Sequence, residues 1–134
     1  MVELADNVRT FLEDVHLAVI ATSNPDMSVH QTALWYQLRG DTIMLNTGLT
    51  TKKVRNLRRD PRASGCVAAL DPARHVTVEG SVTFDEAQVL EDLTSLASRY
   101  AGSEAGPGIA ANIARIPHVT LILSIDRVRT FGKI

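Results

Sequence analysis

Six of the chain's fourteen lysines and arginines fall between Asn46 and Ser64, at Lys52, Lys53, Arg55, Arg58, Arg59 and Arg62, against one acid, Asp60. Two of them stand where a helix should begin. The run Thr42-Ile43-Met44-Leu45 reads as a strand that Gly48 breaks, and Thr50 or Thr51 then offers an oxygen to the free N–H groups of a helical first turn. Pro61 ends the helix by disfavouring helical geometry in Asp60. A helix N-terminus already carries partial positive charge, so Lys52 and Lys53 there are unfavourable by about 0.3–1 kcal/mol each. Free N–H groups, threonine hydroxyls and two ammonium groups converging on one point suit an anion, a phosphate above all. The plainer alternative is a basic helix whose lysines are simply solvated. Spacing alone leaves both open.

No other reactive group stands out as clearly. No G-x-x-x-x-G-K-[ST] loop is present, and no G-x-G-x-x-G follows a strand, which argues against a P-loop or a Rossmann dinucleotide site. His16, His30, His75 and His118 are scattered singly, without zinc-ligand spacing, so no metal site is expected. Cys66 lies among small apolar residues in mid-strand and reads as a buried, inert thiol. Glu13/Asp14 and Glu91/Asp92 read as solvated carboxylates on helix surfaces, not as an acid–base pair. Trp35, between Leu34 and Tyr36, suits core packing or the wall of a pocket for a flat aromatic ligand. Arg74 and His75 begin a strand after a turn; they are placed to reach a ligand, and turn polarity accounts for them equally well. A chain with an anion site but no catalytic side chain can still be an enzyme if a cofactor carries the chemistry.

The elements that must hold these residues follow from periodicity. With 134 residues the chain is expected to be one domain, 1–134. No apolar run approaches the roughly 20 residues of a membrane span. The N-terminus has acids where a secretion signal has bases, and the single cysteine agrees with a reducing cytoplasm. A net charge of −1 and only 4% aromatic residues argue against a nucleic-acid binder, which wants a basic surface and stacking rings. Leu4, Val8, Phe11 and Leu12 predict a helix over 3–14. Strands are expected at 16–22, 29–38 and 42–47, as an antiparallel meander with turns at Asn24-Pro25-Asp26 and Arg39-Gly40-Asp41. Further strands are expected at 63–70, at 75–84 with a bulge near Gly80, and at 118–128. Val89, Leu90, Leu93, Leu96 and Ala97 predict a helix over 86–100, followed by a loose 101–107 and a short helix over 108–115. Six strands with inserted helices do not alternate as βαβ. They predict a mainly β fold, a six-stranded antiparallel barrel, closed or split, with helices packed outside.

Three segments together resemble a known family: His16-Leu17-Ala18-Val19-Ile20-Ala21-Thr22, then Leu45-Asn46-Thr47 with Lys53-Val54-Arg55-Asn56-Leu57-Arg58-Arg59-Asp60-Pro61-Arg62, and Val76-Thr77-Val78-Glu79-Gly80. The middle one is the most specific. Over nearly its whole length the chain resembles the pyridoxamine 5'-phosphate oxidase-like split β-barrel family, in particular its coenzyme F420 (deazaflavin)-dependent branch from actinobacteria. The resemblance implies an FMN-binding-like split barrel and a homodimer with two cofactor sites at the interface. The implied reaction is hydride transfer between reduced F420 and a small organic acceptor.

By the same resemblance, Lys53, Lys52 and Thr51 would hold the cofactor phosphate, with Arg55 also among the cofactor-binding residues. Asn46 and Thr47 would line the polyol or ring edge, Ala33, Leu34 and Trp35 would flank the ring, and Arg74, His75 and Val76 would reach it from a strand end. Family members can carry a basic residue where this chain has Thr51, which leaves the phosphate to the two lysines and main-chain N–H groups. FMN is the alternative cofactor, and a non-catalytic F420- or haem-binding module the alternative role. Six cations suit the phosphodiester and poly-glutamate tail of F420 better than the single phosphate of FMN, although a helix turns some of its side chains away from any one ligand.

Overall fold

The computed structural model describes residues 1–134. Seven antiparallel strands form one sheet: β1 (Ala18–Ser23), β2 (Val29–Leu34), β3 (Gln37–Arg39), β4 (Thr42–Gly48), β5 (Arg62–Ala69), β6 (Arg74–Asp85) and β7 (His118–Phe131). Helices α1 (Asp6–Glu13), α2 (Lys52–Arg59), α3 (Val89–Ala101) and α4 (Gly106–Ile113) flank it. The strand order is β2-β1-β5-β6-β7-β4-β3. This corrects the expected six-stranded barrel, because there are seven strands and the hydrogen-bonded ring is not closed.

The extra strand comes from a break at Trp35-Tyr36. Residues before it pair with β1, from Ala18↔Leu34 to Ser23↔Val29, and residues after it pair with β4, from Gln37↔Met44 to Arg39↔Thr42. The middle strand of the expected meander is therefore two edge strands. At the break, α3 side chains take over from a neighbouring strand. The Tyr36 N–H donates to the Tyr100 hydroxyl at 3.1 Å, and Arg99 Nε donates to the Tyr36 carbonyl at 3.0 Å. Backbone groups satisfied in this way need no ladder. The Tyr36 ring is fully buried, and its hydroxyl donates to the Leu12 carbonyl at 2.8 Å.

Strand alternation decides which residues meet inside. Ile43 and Leu45 of β4 join Val119, Leu121, Leu123 and Ile125 of β7 in a core closed by Val8, Phe11 and Leu12 of α1 and by Val54 and Leu57 of α2. The intervening residues, among them Asn46 and Thr120, face α3 on the other side. The expected bulge lies between Glu79 and Gly80, where a Cβ on Gly80 would come within 1.7 Å of the Ser124 carbonyl oxygen.

Helix α1 starts at Asp6, not Glu3, and His16 precedes β1. Helix α4 takes in Gly106-Pro107, expected to be loose, since proline's missing N–H is harmless in a first turn. Strand β7 runs to Phe131 because β6 stays paired with it as far as His75. No helix is long and apolar enough to cross a membrane.

Candidate functional site

Where the meander breaks, α3 and α4 leave a pocket of about 320 Å³ against the outer face of the sheet. That volume is at the lower end of the roughly 300–1,000 Å³ typical of small-molecule sites. Ala33, Leu34, Trp35 and Asn46, all expected at the site, meet here, with Leu93 and Leu96 of α3, Ile113 of α4, Leu17 and His118. The Trp35 indole stacks on the Tyr100 ring, with centroids 5.1 Å apart and planes within 9°. The walls are thus flat and apolar, with Asn46 as an amide set among them.

Asn46 is 9% exposed and part of a buried polar chain. Its Nδ2 donates to Thr120 Oγ1 at 3.2 Å and towards the Val89 carbonyl at 3.4 Å. Thr120 Oγ1 donates in turn to Asp92 Oδ2 at 2.8 Å, and the other Asp92 oxygen is paired with Arg39. Asn46 Oδ1 is buried and has no partner.

Sequence reading missed Asp92. It is 3% exposed, not solvated, whereas Leu90, assigned to the buried stripe, is 51% exposed. The signal was present, because Asp92, Leu93, Leu96 and Ala97 are spaced as one helical face. A charge on that face reads as an error unless its partner is known, and Arg39 is on a distant strand.

Asn46 and Thr47, expected side by side on a ligand, face opposite sides of β4. Thr47 points inward and accepts from Lys53 Nζ at 2.9 Å. Lys53 is 7% exposed, and no carboxylate lies within ion-pairing reach of it. Burial pushes its pKa below the ordinary 10.5. Lys52, by contrast, is exposed.

Thr51 occupies the N-cap position but does not cap. Its hydroxyl donates to the Gly48 carbonyl at 2.9 Å, so no side chain covers the first-turn N–H groups. This corrects the expected threonine cap. The six cations do not converge either. Arg55 donates to the Thr50 carbonyl at 2.7 Å, Arg58 stacks 4.4 Å over Phe84, and Arg59 reaches the Ser23 carbonyl. Arg62 binds Asp60 at 2.8 Å, and its hydrogen bonds hold that carboxyl down to about 2.

One pocket residue, His118, links the pocket to the approach to α2, although no residue of α2 lines it. Gly48 pairs with His118, a pocket residue, and the Leu49 N–H donates to the Pro117 carbonyl at 2.9 Å, just before the first turn of α2. Arg74, His75 and Val76 lie elsewhere. Arg74 packs over Phe11, His75 stacks on Phe131, and Val76 is fully buried in the core. They occupy the end of β6 opposite Asp85, the partner of Thr120, so one chain does not bring them to the pocket.

A larger groove, about 610 Å³, is lined by residues of β1, β2, β5, β6 and β7. Its charges largely answer one another, Glu79 lying 3.7 Å from Arg127 and 3.0 Å from neighbouring Arg129. It has no aromatic wall, and none of the expected cofactor residues lines it. Cys66, in β5, is half-buried and not sealed in the core as expected.

The profile of the pyridoxamine 5'-phosphate oxidase family matches residues 4–132. Among curated proteins none matches. Among solved structures, the chain is similar to the conserved hypothetical protein Rv2991 from Mycobacterium tuberculosis, with a TM-score of 0.80 and 28% identity over 98% of this chain and 86% of that one. A protein described as an F420 reductase gives a TM-score of 0.78 at 20% identity, covering 94% of this chain and 98% of that one. A heme binding protein from Mycobacterium smegmatis gives 0.72 at 23% identity, covering 98% of this chain and 56% of that one. The fold is shared across all three, and with the family profile spanning nearly every element described above, the chain belongs to the pyridoxamine 5'-phosphate oxidase family.

Proposed function

We propose that the protein is an F420-dependent oxidoreductase whose deazaflavin ring lies in the pocket beside Trp35 and whose phosphodiester lies at the start of α2. One observation carries this reading. An apolar, aromatic-walled pocket opens next to an uncapped helix N-terminus that holds a buried lysine with no acid to neutralise it. Both ends fit the cofactor. Lys53 and the first-turn N–H groups want a negative charge, and Asn46 Oδ1 wants a donor.

In this reading Lys53, Lys52 and the main chain around Thr51 hold the phosphodiester, and exposed Arg55 is near enough to α2's first turn to meet the tail. Thr47 orients the Lys53 ammonium and does not touch the ring. Ala33, Leu34 and Trp35 flank one side of the ring, while Leu93, Leu96 and Ile113 exclude water. When bound, the deazaflavin supplies the hydride chemistry. The protein contributes alignment of ring and acceptor, which can supply much of the rate. A homodimer would let the Arg74-His75-Val76 strand end of a second copy approach the site that its own chain leaves out of reach.

FMN is the second reading, favoured by the way the four arginines of the cluster are engaged within the protein. The two remaining lysines match one phosphate as readily as a long anion. Titration of the purified protein with F420 and FMN, followed by fluorescence, decides between them. F420 binding at least about tenfold tighter, equivalent to ~1.4 kcal/mol, supports the first reading, with oxidation of reduced F420 across quinones and enones testing turnover. Tighter FMN binding replaces it, and binding of neither removes the pocket from cofactor chemistry.

A further inference from the structure

Trp35 lines the pocket but belongs to no strand. β2 ends at Leu34 and β3 starts at Gln37, so ladder pairing fixes its neighbours and not Trp35 itself. An indole in such a gap is oriented by what packs on it. Here that is the second half of α3, from which Ser95, Arg99 and Tyr100 reach back to the break. Ser95 Oγ donates to Gln37 Oε1 at 2.8 Å, and Arg99 Nε to the Tyr36 carbonyl. The Tyr100 ring lies parallel to the half-buried indole to within 9°.

A stacked ring fixes the plane of its neighbour only if it is held itself, and Tyr100 is. Its hydroxyl accepts the Tyr36 N–H at 3.1 Å and donates to the His16 carbonyl, next to Leu17 of the pocket lining. The Arg99 guanidinium lies 5.6 Å from the centroid of the same ring and donates to the Glu13 and Asp14 carbonyls, both at 2.8 Å. The end of α1, the approach to β1, the sheet break and α3 are thus joined around one tyrosine. Tyr100 itself is not among the residues lining the pocket.

We infer that Tyr100 is a positioning residue that clamps Trp35, so that the aromatic wall of the pocket is presented to a flat ring as a fixed plane. The freedom of the indole is then lost on folding and not on binding, which favours the bound state. The inference rests on the proposed reading of the pocket as a ring site and adds the residue that holds its wall.

Trp35 is the chain's only tryptophan, so tryptophan emission from the full chain reports on the wall alone. In wild type its anisotropy should decay only with tumbling of the whole protein. Tyr100→Phe keeps the stacked ring and should bind 5-deazariboflavin within about threefold of wild type. Tyr100→Leu removes the stack. A subnanosecond anisotropy component should appear, and the dissociation constant for 5-deazariboflavin should rise about tenfold. Should that variant fail to fold, Tyr100→Met, which keeps the bulk without a ring, takes its place. A purely structural tyrosine would lower the melting temperature but leave anisotropy and affinity at wild-type values below the melt, and that result overturns the inference. So does independent motion of Trp35 in wild type, or a Tyr100→Phe variant as mobile and weak as Tyr100→Leu; each leaves the ring site standing. Failure of wild type to bind 5-deazariboflavin, F420 or FMN overturns the ring site and the inference together.

Discussion

Along α2 the charged groups are many, mostly exposed and mostly used by the protein itself. Arg55, Arg58, Arg59 and Arg62 each have a partner within the chain, although only Arg62 meets an acid, and Lys53 meets only the Thr47 hydroxyl. Under α3 the polar groups are few and buried, and each is oriented by the next, from Arg39 through Asp92 and Thr120 to Asn46. Exposed charge attracts an anion but says little about what is attached to it, since water and salt screen the interaction. A buried amide held in one orientation offers a partner a single hydrogen-bonding choice. The density of charge in a sequence therefore points to where a ligand is held and not to which ligand it is.

Mutations in the two regions should separate these roles. The largest effect is expected from Lys52→Ala combined with Lys53→Ala. Charged hydrogen bonds are worth about 1.5–3 kcal/mol each, so F420 affinity should fall by about 100-fold or more. An unchanged dissociation constant by calorimetry would take α2 out of the site. Trp35→Ala acts on the other region. It should weaken ring binding by roughly tenfold and, through loss of the Tyr100 stack, lower folding stability by about 1 kcal/mol in urea unfolding. A variant that loses stability but binds the ring normally would return Trp35 to the core-packing role.

Lys53→Met tests whether the buried ammonium is retained for binding at the expense of the fold. Because burial disfavours the charged form, the native state releases the Lys53 proton at a lower pH than the unfolded chain does. Between those two pKa values the unfolded state holds more protons, and wild-type stability rises with pH. The variant should therefore melt above wild type at neutral pH, and the gap should narrow as the pH climbs towards 10.5. A variant that melts lower would mean the Thr47 contact outweighs desolvation. The smallest effect is expected at Arg62→Ala. The Asp60 carboxyl should move from about 2 towards its ordinary 3.8 in an NMR titration, so the pairing is intact above 3.8 and lost as pH falls towards 2. Cofactor affinity should not change, and a fall would bring the surface end of α2 into the site.

Much of this was legible beforehand, though unevenly. The α2 boundaries at Lys52 and Arg59, the bulge at Gly80 and the approximate limits of β4 and β5 follow from local signals: a glycine, a proline, a strand-forming run. Ala33, Leu34, Trp35 and Asn46 gather in one pocket, while Thr47 turns away from it. The split of residues 29–38 was not legible, because it depends on Arg99 and Tyr100 reaching back from α3 to Tyr36, more than sixty positions earlier.

From sequence alone came an antiparallel β domain with an unusual basic helix start, since alternation, turn residues and helix punctuation act between neighbours and need no knowledge of the whole; the family came from the resemblance of three segments. Only the tertiary structure decided that Asn46 and Thr47 face opposite sides of β4, that Asp92 is buried and paired, and that five of the six clustered cations are engaged within the protein. Those outcomes are set by contacts between distant segments, such as Asn46 with Thr120 and Arg39 with Asp92. The free energy of a buried polar group depends on the partner it meets, and that partner is known only once the chain has folded.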